Sequence, residues 1–444
     1  MKGSKIISSR EAARRLEGRG GEVALVRNPA YVHPAIELCP LAPRITGPVP
    51  QLLGAVMDMD GTTTTTEPLC LHSLETMVRR ITNRPTRADW PGLDREADYP
   101  HVIGNSTTRH VEYLVNAYGK HVHKGALAAS LLEAVVWTLM EGKDARRRVE
   151  AAATMNALNW GPAMAEAIAD ASVRDPALRA ARLRVLAGRR AEELHVESPA
   201  DLVRAALEIY FYRYHEILSG LARGEGERLA QEVTGGRRLI EPMPGVGVSL
   251  ALVKGWLGRA AGEFYEGLRA HLPEDAPLPA PGVCRARLEA LGERFQARPL
   301  RLAVVTSSIE YEADIVLGEV FSVLREEAAR WPVKRELAER FDDPREFYDA
   351  VVTASDSSEI RLKPHRDLYS IALHAIGVGP EDFGAVAGFE DSESGVVSIR
   401  AAGVGLCVAV PFTDTEGHDF SAAAHVLPGG LPQALLEYNL FIEP

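Results

Sequence analysis

The sequence predicts an α/β protein, a parallel sheet covered by helices on both faces and interrupted by a large, mainly helical insertion. Three observations predict it. An apolar strand ending in acidic residues, Leu53-Gly-Ala-Val-Met-Asp58, stands near the start. From about 281 onwards strand-like and helical patterns alternate, as parallel strands joined by crossover helices require. Between these stretches, from about 67 to 280, the pattern is mainly helical. At 444 residues the chain exceeds the usual single-domain ceiling, so more than one domain is expected.

The elements follow in order. Residues 1–49 read as an N-terminal extension, with a short helical pattern around Arg10–Leu16 and a Pro-rich passage from Pro29 to Pro50. It is either a strap on the main domain or a loosely held arm, and no chemistry is read in it. Residues 50–66 and 281–444 are assigned to the α/β core, and 67–280 to the insertion. Within the insertion Ala126–Met140 and Ala151–Ala169 are rich in Ala and Leu, and Leu202–Leu221 carries apolar residues at i, i+3, i+4 spacing. Core strands are expected at Leu302–Thr306, Ala350–Thr353, Phe383–Ala387 and Leu406–Val410. Of two similar triplets, Pro244-Gly-Val and Pro281-Gly-Val, only the second precedes a strand at one-helix distance, which sets the return near 281.

Composition excludes some partners. With 46% hydrophobic residues the chain can bury sizeable cores, and a net charge of −11 argues against a general binder of nucleic acid or anionic membrane. The cysteines, Cys39, Cys70, Cys284 and Cys407, are far apart and form no C-x-x-C pair. They suggest neither a zinc site nor a disulfide framework, which fits a reducing, cytoplasmic setting. Met1–Arg10 lacks the apolar core of a signal peptide, and no segment reaches membrane-spanning length.

Four segments carry chemistry. In Asp58-Met-Asp60-Gly61-Thr62 two carboxylates at i, i+2 share one side of a strand's end. They can supply a nucleophile with an acid/base beside it, and can hold a cation such as Mg²⁺ that prefers oxygen ligands. Thr306-Ser307-Ser308 ends a buried-type strand, where hydroxyls and backbone N–H groups suit a phosphate, or simply cap a helix. Lys363-Pro364 uses one of only eight lysines against 42 arginines, which fits a need for a compact point charge. Glu390-Asp391-Ser392 adds two carboxylates after a strand. Singly these are an acidic turn, a cap, a surface lysine and an acidic loop.

Together and in order, the four segments resemble the motifs of the haloacid dehalogenase-like superfamily, specifically its β-phosphoglucomutase-like branch of phosphatases and phosphomutases. The passage Gly395–Gly403, ending Ala401-Ala-Gly403-Val, looks like the branch's usual helix. The resemblance covers about 50–66 and 281–415, touches the insertion only at its edges, and leaves 1–49 aside. It implies a Rossmann-like core with an inserted helical cap. It further implies that Asp58 is the nucleophile, taking the phosphoryl group as an aspartyl phosphate, and that Asp60 is the general acid and then base. Thr306 would bind the transferring group, with Ser307 beside it, and Lys363 would neutralise charge. Mg²⁺ would be held by the Asp58 carboxylate, the Asp60 carbonyl, Glu390 and Asp391. Such a loose phosphoryl transition state is served mainly by positioning and charge neutralisation.

Departures from the branch bear on the substrate. After the first motif the chain reads Thr65-Thr66-Glu67-Pro68-Leu69-Cys70, so Cys70 stands where the mutases have a cap-hinge histidine, and His72 is out of register. This favours a phosphatase over a sugar-phosphate mutase. Ile103–His110 resembles the branch's specificity loop, which makes Arg109 a candidate for binding a substrate anion. The cluster Lys120-His121-Val-His123-Lys124 reads as a solvated loop, and residues 125–240 carry no legible chemistry. A dehalogenase would not need Asp60, Glu390 and Asp391. A phosphonatase would need a Schiff-base lysine, for which Lys120 and Lys124 have no supporting pattern. A non-enzymatic scaffold would not need every charged motif position. The expectation is a Mg²⁺-dependent phosphatase acting on a small phosphorylated metabolite, with no nucleic-acid or membrane partner and no oligomeric state indicated.

Overall fold

Strands begin where β-branched and small apolar residues run together, and in this chain those runs end on polar residues. The computed structural model describes residues 7–17, 21–28, 33–103, 107–333, 335–356, 361–412, 415 and 417–443. The chain forms two compact units, one of 1–65 with 240–444, the other of 66–239.

In the first unit, β1 (Val23–Arg27) and β2 (Ile36–Pro40) form an antiparallel pair. At Glu22, Arg44 and Val49 the N-terminal passage is fastened to the core. Glu22 accepts hydrogen bonds from Arg44 and from Arg400, whose side chain is fully buried. Val49 bridges to Ile442. Next come β3 (Gly54–Asp58), β4 (Thr64–Thr65), β5 (Glu241–Pro242), β6 (Arg301–Val305), β7 (Ala350–Val352), β8 (Val386–Glu390), β9 (Leu406–Ala409) and β10 (His425–Val426). Six of them make one parallel sheet in the order β10-β9-β8-β3-β6-β7. β3 and β8 are buried at every residue, as strands covered on both faces must be. β4 and β5 pair antiparallel, Thr64 opposite Pro242, and so close the ends of the long excursion between them.

The second unit is helical, the expected α/β core with a helical insertion being what the structure shows. Its longest helix, Pro199–Ala222, starts on a capping box in which Ser198 and Asp201 satisfy each other's backbone N–H groups. The expected helix over Ala151–Ala169 is two, Ala145–Ala157 and Gly161–Ala169. Asn159, at φ 55°, turns the chain between them, and Pro162 cannot continue a preceding helix.

Two boundaries differ from the sequence reading. The insertion was expected to run to 280, yet residues from Ile240 belong to the α/β unit. Helix Val246–Val253 is apolar on all sides, with Val246, Leu250, Leu252 and Val253 all buried, and Leu300 donates from its backbone to Val253 at 2.9 Å. Helical periodicity cannot say which body a helix joins. The strand expected at Phe383–Ala387 begins at Val386 and runs through Glu390, after a 3-10 turn at Pro380–Ala385. Gly388 reads as a break, but it is a mid-strand close approach: a Cβ there would lie 2.6 Å from the Ile399 side chain. Among the described residues no helix is long and apolar enough to cross a membrane.

Candidate active site

The sheet registers Asp58 beside Val305 and Met57 beside Phe389, so the carboxyl ends of β3, β6 and β8 lie side by side. In open α/β sheets that edge is where ligands bind. Asp58 ends β3, Thr306 follows β6 directly, and Glu390 ends β8. All three are buried, and Asp391 is 4% exposed.

The turn after β3 is held by its threonines. Thr63 Oγ1 donates to the carbonyls of Asp58 and Met59, and Thr64 Oγ1 donates to Met59 as well. Gly61 has φ 85°, and a Cβ on it would come within 2.5 Å of Asp391 Oδ2, so this position requires glycine twice over. The turn brings Asp60 to β6, where its Oδ2 accepts a 3.0 Å hydrogen bond from Thr306 Oγ1. The Thr306 hydroxyl in turn accepts from the Ser308 backbone N–H at 3.0 Å. Ser307 is exposed at the same strand end.

Lys363 is the cation of the cluster. Its Nζ contacts Asp58 Oδ1 and donates to Glu390 Oε1 at 2.7 Å, with its side chain 9% exposed. Burial works against the ammonium, but Asp58 and Glu390 outweigh it and hold the lysine pKa above its ordinary value. Burial also pushes the Asp58 carboxyl well above the usual carboxylate range; Lys363 opposes this, while Glu390 and Asp60 add to it. One lysine cannot neutralise this many clustered carboxylates. Asp58, Glu390 and Asp391 each offer an oxygen within 4.8 Å of the others, an all-oxygen donor set that fits a hard divalent cation such as Mg²⁺.

Glu390 is held more tightly than the sequence suggests. Ser392 donates to its Oε2 from both backbone (3.0 Å) and hydroxyl (2.8 Å), and Tyr369 Oη donates to its Oε1 at 3.0 Å. Ser392 also caps the helix Glu393–Ala401, accepting from Gly395 N at 3.1 Å. A Cβ on Gly395 would overlap the Glu390 carboxylate, which therefore sits against the first helical turn, where the helix dipole favours negative charge. Tyr369 and Ser392 have no role in the sequence reading. The signal was present only as a Ser ahead of a helix and a Tyr six positions past the lysine.

The remaining candidates lie in the helical unit. Arg109 is exposed in the first turn of the helix Thr107–Tyr118, while residues 104–106 of the supposed specificity loop lie outside the described residues. Cys70 Sγ lies 3.5 Å from Tyr210 Oη, and His72 Nε2 accepts from Arg213 at 3.2 Å. His123 caps the helix Lys124–Met140 through its Nδ1, and Lys124 pairs with Glu192 at 2.8 Å, so that cluster is a helix start with a surface ion pair.

No family model matches the chain. A stretch of 148 residues is 31% identical to protein CbbY of Rhodobacter capsulatus and makes up 33% of this chain and 52% of that protein. The chain thus spans about half the length of the curated relative it matches. The crystal structure of CbbY from Rhodobacter sphaeroides in complex with phosphate superposes with a TM-score of 0.38 at 16% identity, over 87% of this chain and all of that one. A mutant of the same protein in complex with xylulose-1,5-bisphosphate gives 0.38 at 17%, over 87% and 99%. A predicted phosphoglycolate phosphatase from Haemophilus somnus gives 0.40 at 12%, over 87% and 97%. Scores at this level carry no argument about this chain. The stretch shared with CbbY is thus a partial likeness, and it stands beside four ordered motifs that resemble those of the haloacid dehalogenase-like superfamily on a parallel sheet.

Proposed function

We propose that the chain is a phosphatase, a Mg²⁺-dependent phosphomonoester hydrolase that works on a small phosphorylated metabolite through an aspartyl phosphate on Asp58. The observation that carries this reading is the buried contact of Lys363 with both Asp58 and Glu390, beside Asp391 and a Thr306–Asp60 hydrogen bond. Nucleophile, charge and acid/base stand at one sheet edge.

The residues divide the work as follows. Asp58 attacks phosphorus, and the bond to the leaving oxygen breaks as Asp60 delivers a proton to that oxygen. Asp60 then takes a proton from the water that attacks the aspartyl phosphate, freeing inorganic phosphate and restoring Asp58. Thr306 holds the Asp60 carboxylate in place and, with Ser307 and the Ser308 backbone, lines the pocket for phosphoryl oxygens. Lys363 offsets the charge shared by Asp58 and the transferring group. Asp58, Asp391 and the Asp60 carbonyl, with Glu390 behind them, would hold Mg²⁺. When bound, that ion supplies further charge neutralisation and orients the phosphoryl oxygens.

The helical unit 66–239 acts in this reading as the cap that selects substrate, with Arg109 as an anion-binding side chain. Hydrolysis is favoured over mutase chemistry because Cys70 contacts Tyr210 and His72 is bound to Arg213, so neither position supplies the mutases' hinge histidine. A screen of phosphorylated metabolites, read as inorganic phosphate released with Mg²⁺ and with a chelator, tests the proposal. Chelator-sensitive release is expected; a chain inert to the whole panel and to aryl phosphates would refute it.

A further inference from the structure

The helix Asp367–Ala375 carries Leu368, Tyr369, Ala372 and Leu373 into the hydrophobic core under the sheet, all at 1% exposure or less. Packing there asks for an aromatic ring and does not ask for a hydroxyl. A phenol placed in such a core needs a partner, since a buried unpaired hydroxyl is costly. The Tyr369 hydroxyl finds Glu390 Oε1 at 3.0 Å. The ring of the same residue lies under the cation, with Lys363 Nζ 5.2 Å from its centroid. One side chain thus touches both members of the Lys363–Glu390 pair.

Glu390 has no slack left. Its Oε1 accepts from Lys363 and Tyr369, and its Oε2 accepts twice from Ser392. A carboxylate offers about four acceptor positions, and four donors on this one hold it in a single orientation. Lys363, by contrast, is the last residue before Pro364 in a segment outside the helices and strands, with a long side chain that needs fixing from outside. Its fixed points are Glu390 and the Tyr369 ring; its third contact, Asp58, is the group it serves.

We infer that Tyr369 is a positioning residue: its hydroxyl orients Glu390, its ring seats Lys363, and together they aim the Lys363 ammonium at Asp58. This rests on the phosphatase reading for its kinetic consequences but not for its geometry. The effect of Tyr369 passes through Glu390 and Lys363, so Tyr369 touches no reacting atom.

The test compares wild type, Tyr369→Phe and Tyr369→Leu, each alone and in a Glu390→Gln background. A generic aryl phosphate at saturating Mg²⁺ is the substrate, and metal-free crystal structures are solved in parallel. Tyr369→Phe keeps the ring and should lower kcat about tenfold while KM stays within about twofold, as expected when transition-state stabilisation alone is lost. Tyr369→Leu, which also removes the ring, should lose more. In the Glu390→Gln background Tyr369→Phe should change kcat less than about twofold, because residues acting as one unit are non-additive. In metal-free crystals of Tyr369→Phe, Lys363 Nζ should have moved off Asp58. Unchanged kcat, fully additive losses, an unmoved Lys363, or a Tyr369→Phe chain that does not fold would each overturn the inference. If wild type does not hydrolyse the aryl phosphate, the phosphatase reading fails, and the crystal comparison still decides the role of Tyr369.

Discussion

Thr306 Oγ1 donates a 3.0 Å hydrogen bond to Asp60 Oδ2, joining residues 246 positions apart in the chain. The bond ties the end of β6 to the turn after β3 and orients the side chain that the proposed mechanism uses for proton transfer. Thr306→Val keeps the shape and removes the donor. We expect kcat for an aryl phosphate to fall by up to about a hundredfold, the scale of loss when a catalytic group is misplaced by about an ångström, with the fold intact by circular dichroism. A variant within twofold of wild type would show that Asp60 is oriented by other contacts.

Lys363 offsets buried negative charge before any substrate arrives. Lys363→Met leaves Asp58 and Glu390 buried without their shared cation, a loss of about 3–5 kcal/mol for a broken buried pair. The melting temperature of the metal-free protein should drop accordingly, and Mg²⁺ should recover more stability in the variant than in wild type. An unchanged melting temperature would mean that the carboxylates shed their charge by taking up protons instead.

Much of this site was legible in sequence because its charged groups sit in short motifs at strand ends. Asp58 and Thr306 needed only the recognition of apolar runs and what stops them, and Lys363 stood out as one of eight lysines, next to a proline. Glu390 was legible as a residue but not as the last position of a buried strand, because Gly388 mimics a turn while serving the close approach of Ile399. Tyr369 was hidden for a different reason: on an amphipathic helix an aromatic residue reads as core, and only geometry reveals that its hydroxyl reaches a carboxylate. The boundary at Leu239–Ile240 was hidden because Val246–Val253 extends the run of helices before it, and a helix apolar on all sides does not say which body buries it.

His72 gives the helical unit a pH dependence. Burial first, and then the charge of Arg213, lower its pKa from 6.5 to about 4. The unfolded chain therefore binds a proton that the folded one refuses. The stability from neutral His72 is fully present above pH 6.5 and is lost as pH falls towards about 4. Replacing His72 by Gln, which can still accept from Arg213, should flatten the acid limb of denaturant stability across that window. An unaltered limb would assign it to the carboxylates.

Arg109 tests the cap. Arg109→Ala should raise KM for the native anionic substrate well beyond its effect on kcat, the mark of lost ground-state binding. For a small aryl phosphate it should matter little. Equal losses on both substrates would remove Arg109 from the binding machinery.

The account turns on Asp58 carrying the phosphoryl group, and the most direct measurement is to trap it. Protein mixed with an aryl phosphate and Mg²⁺ is quenched in acid within the first turnover, digested, and its peptides weighed. The peptide holding Asp58 should carry the mass of one phosphoryl group, located on that residue by fragmentation. Asp58→Asn should carry none and should turn over at least about a thousandfold more slowly, as when a nucleophile is removed. Turnover that survives in Asp58→Asn at a tenth of the wild-type rate, or a phosphoryl group found on another residue, would contradict the account.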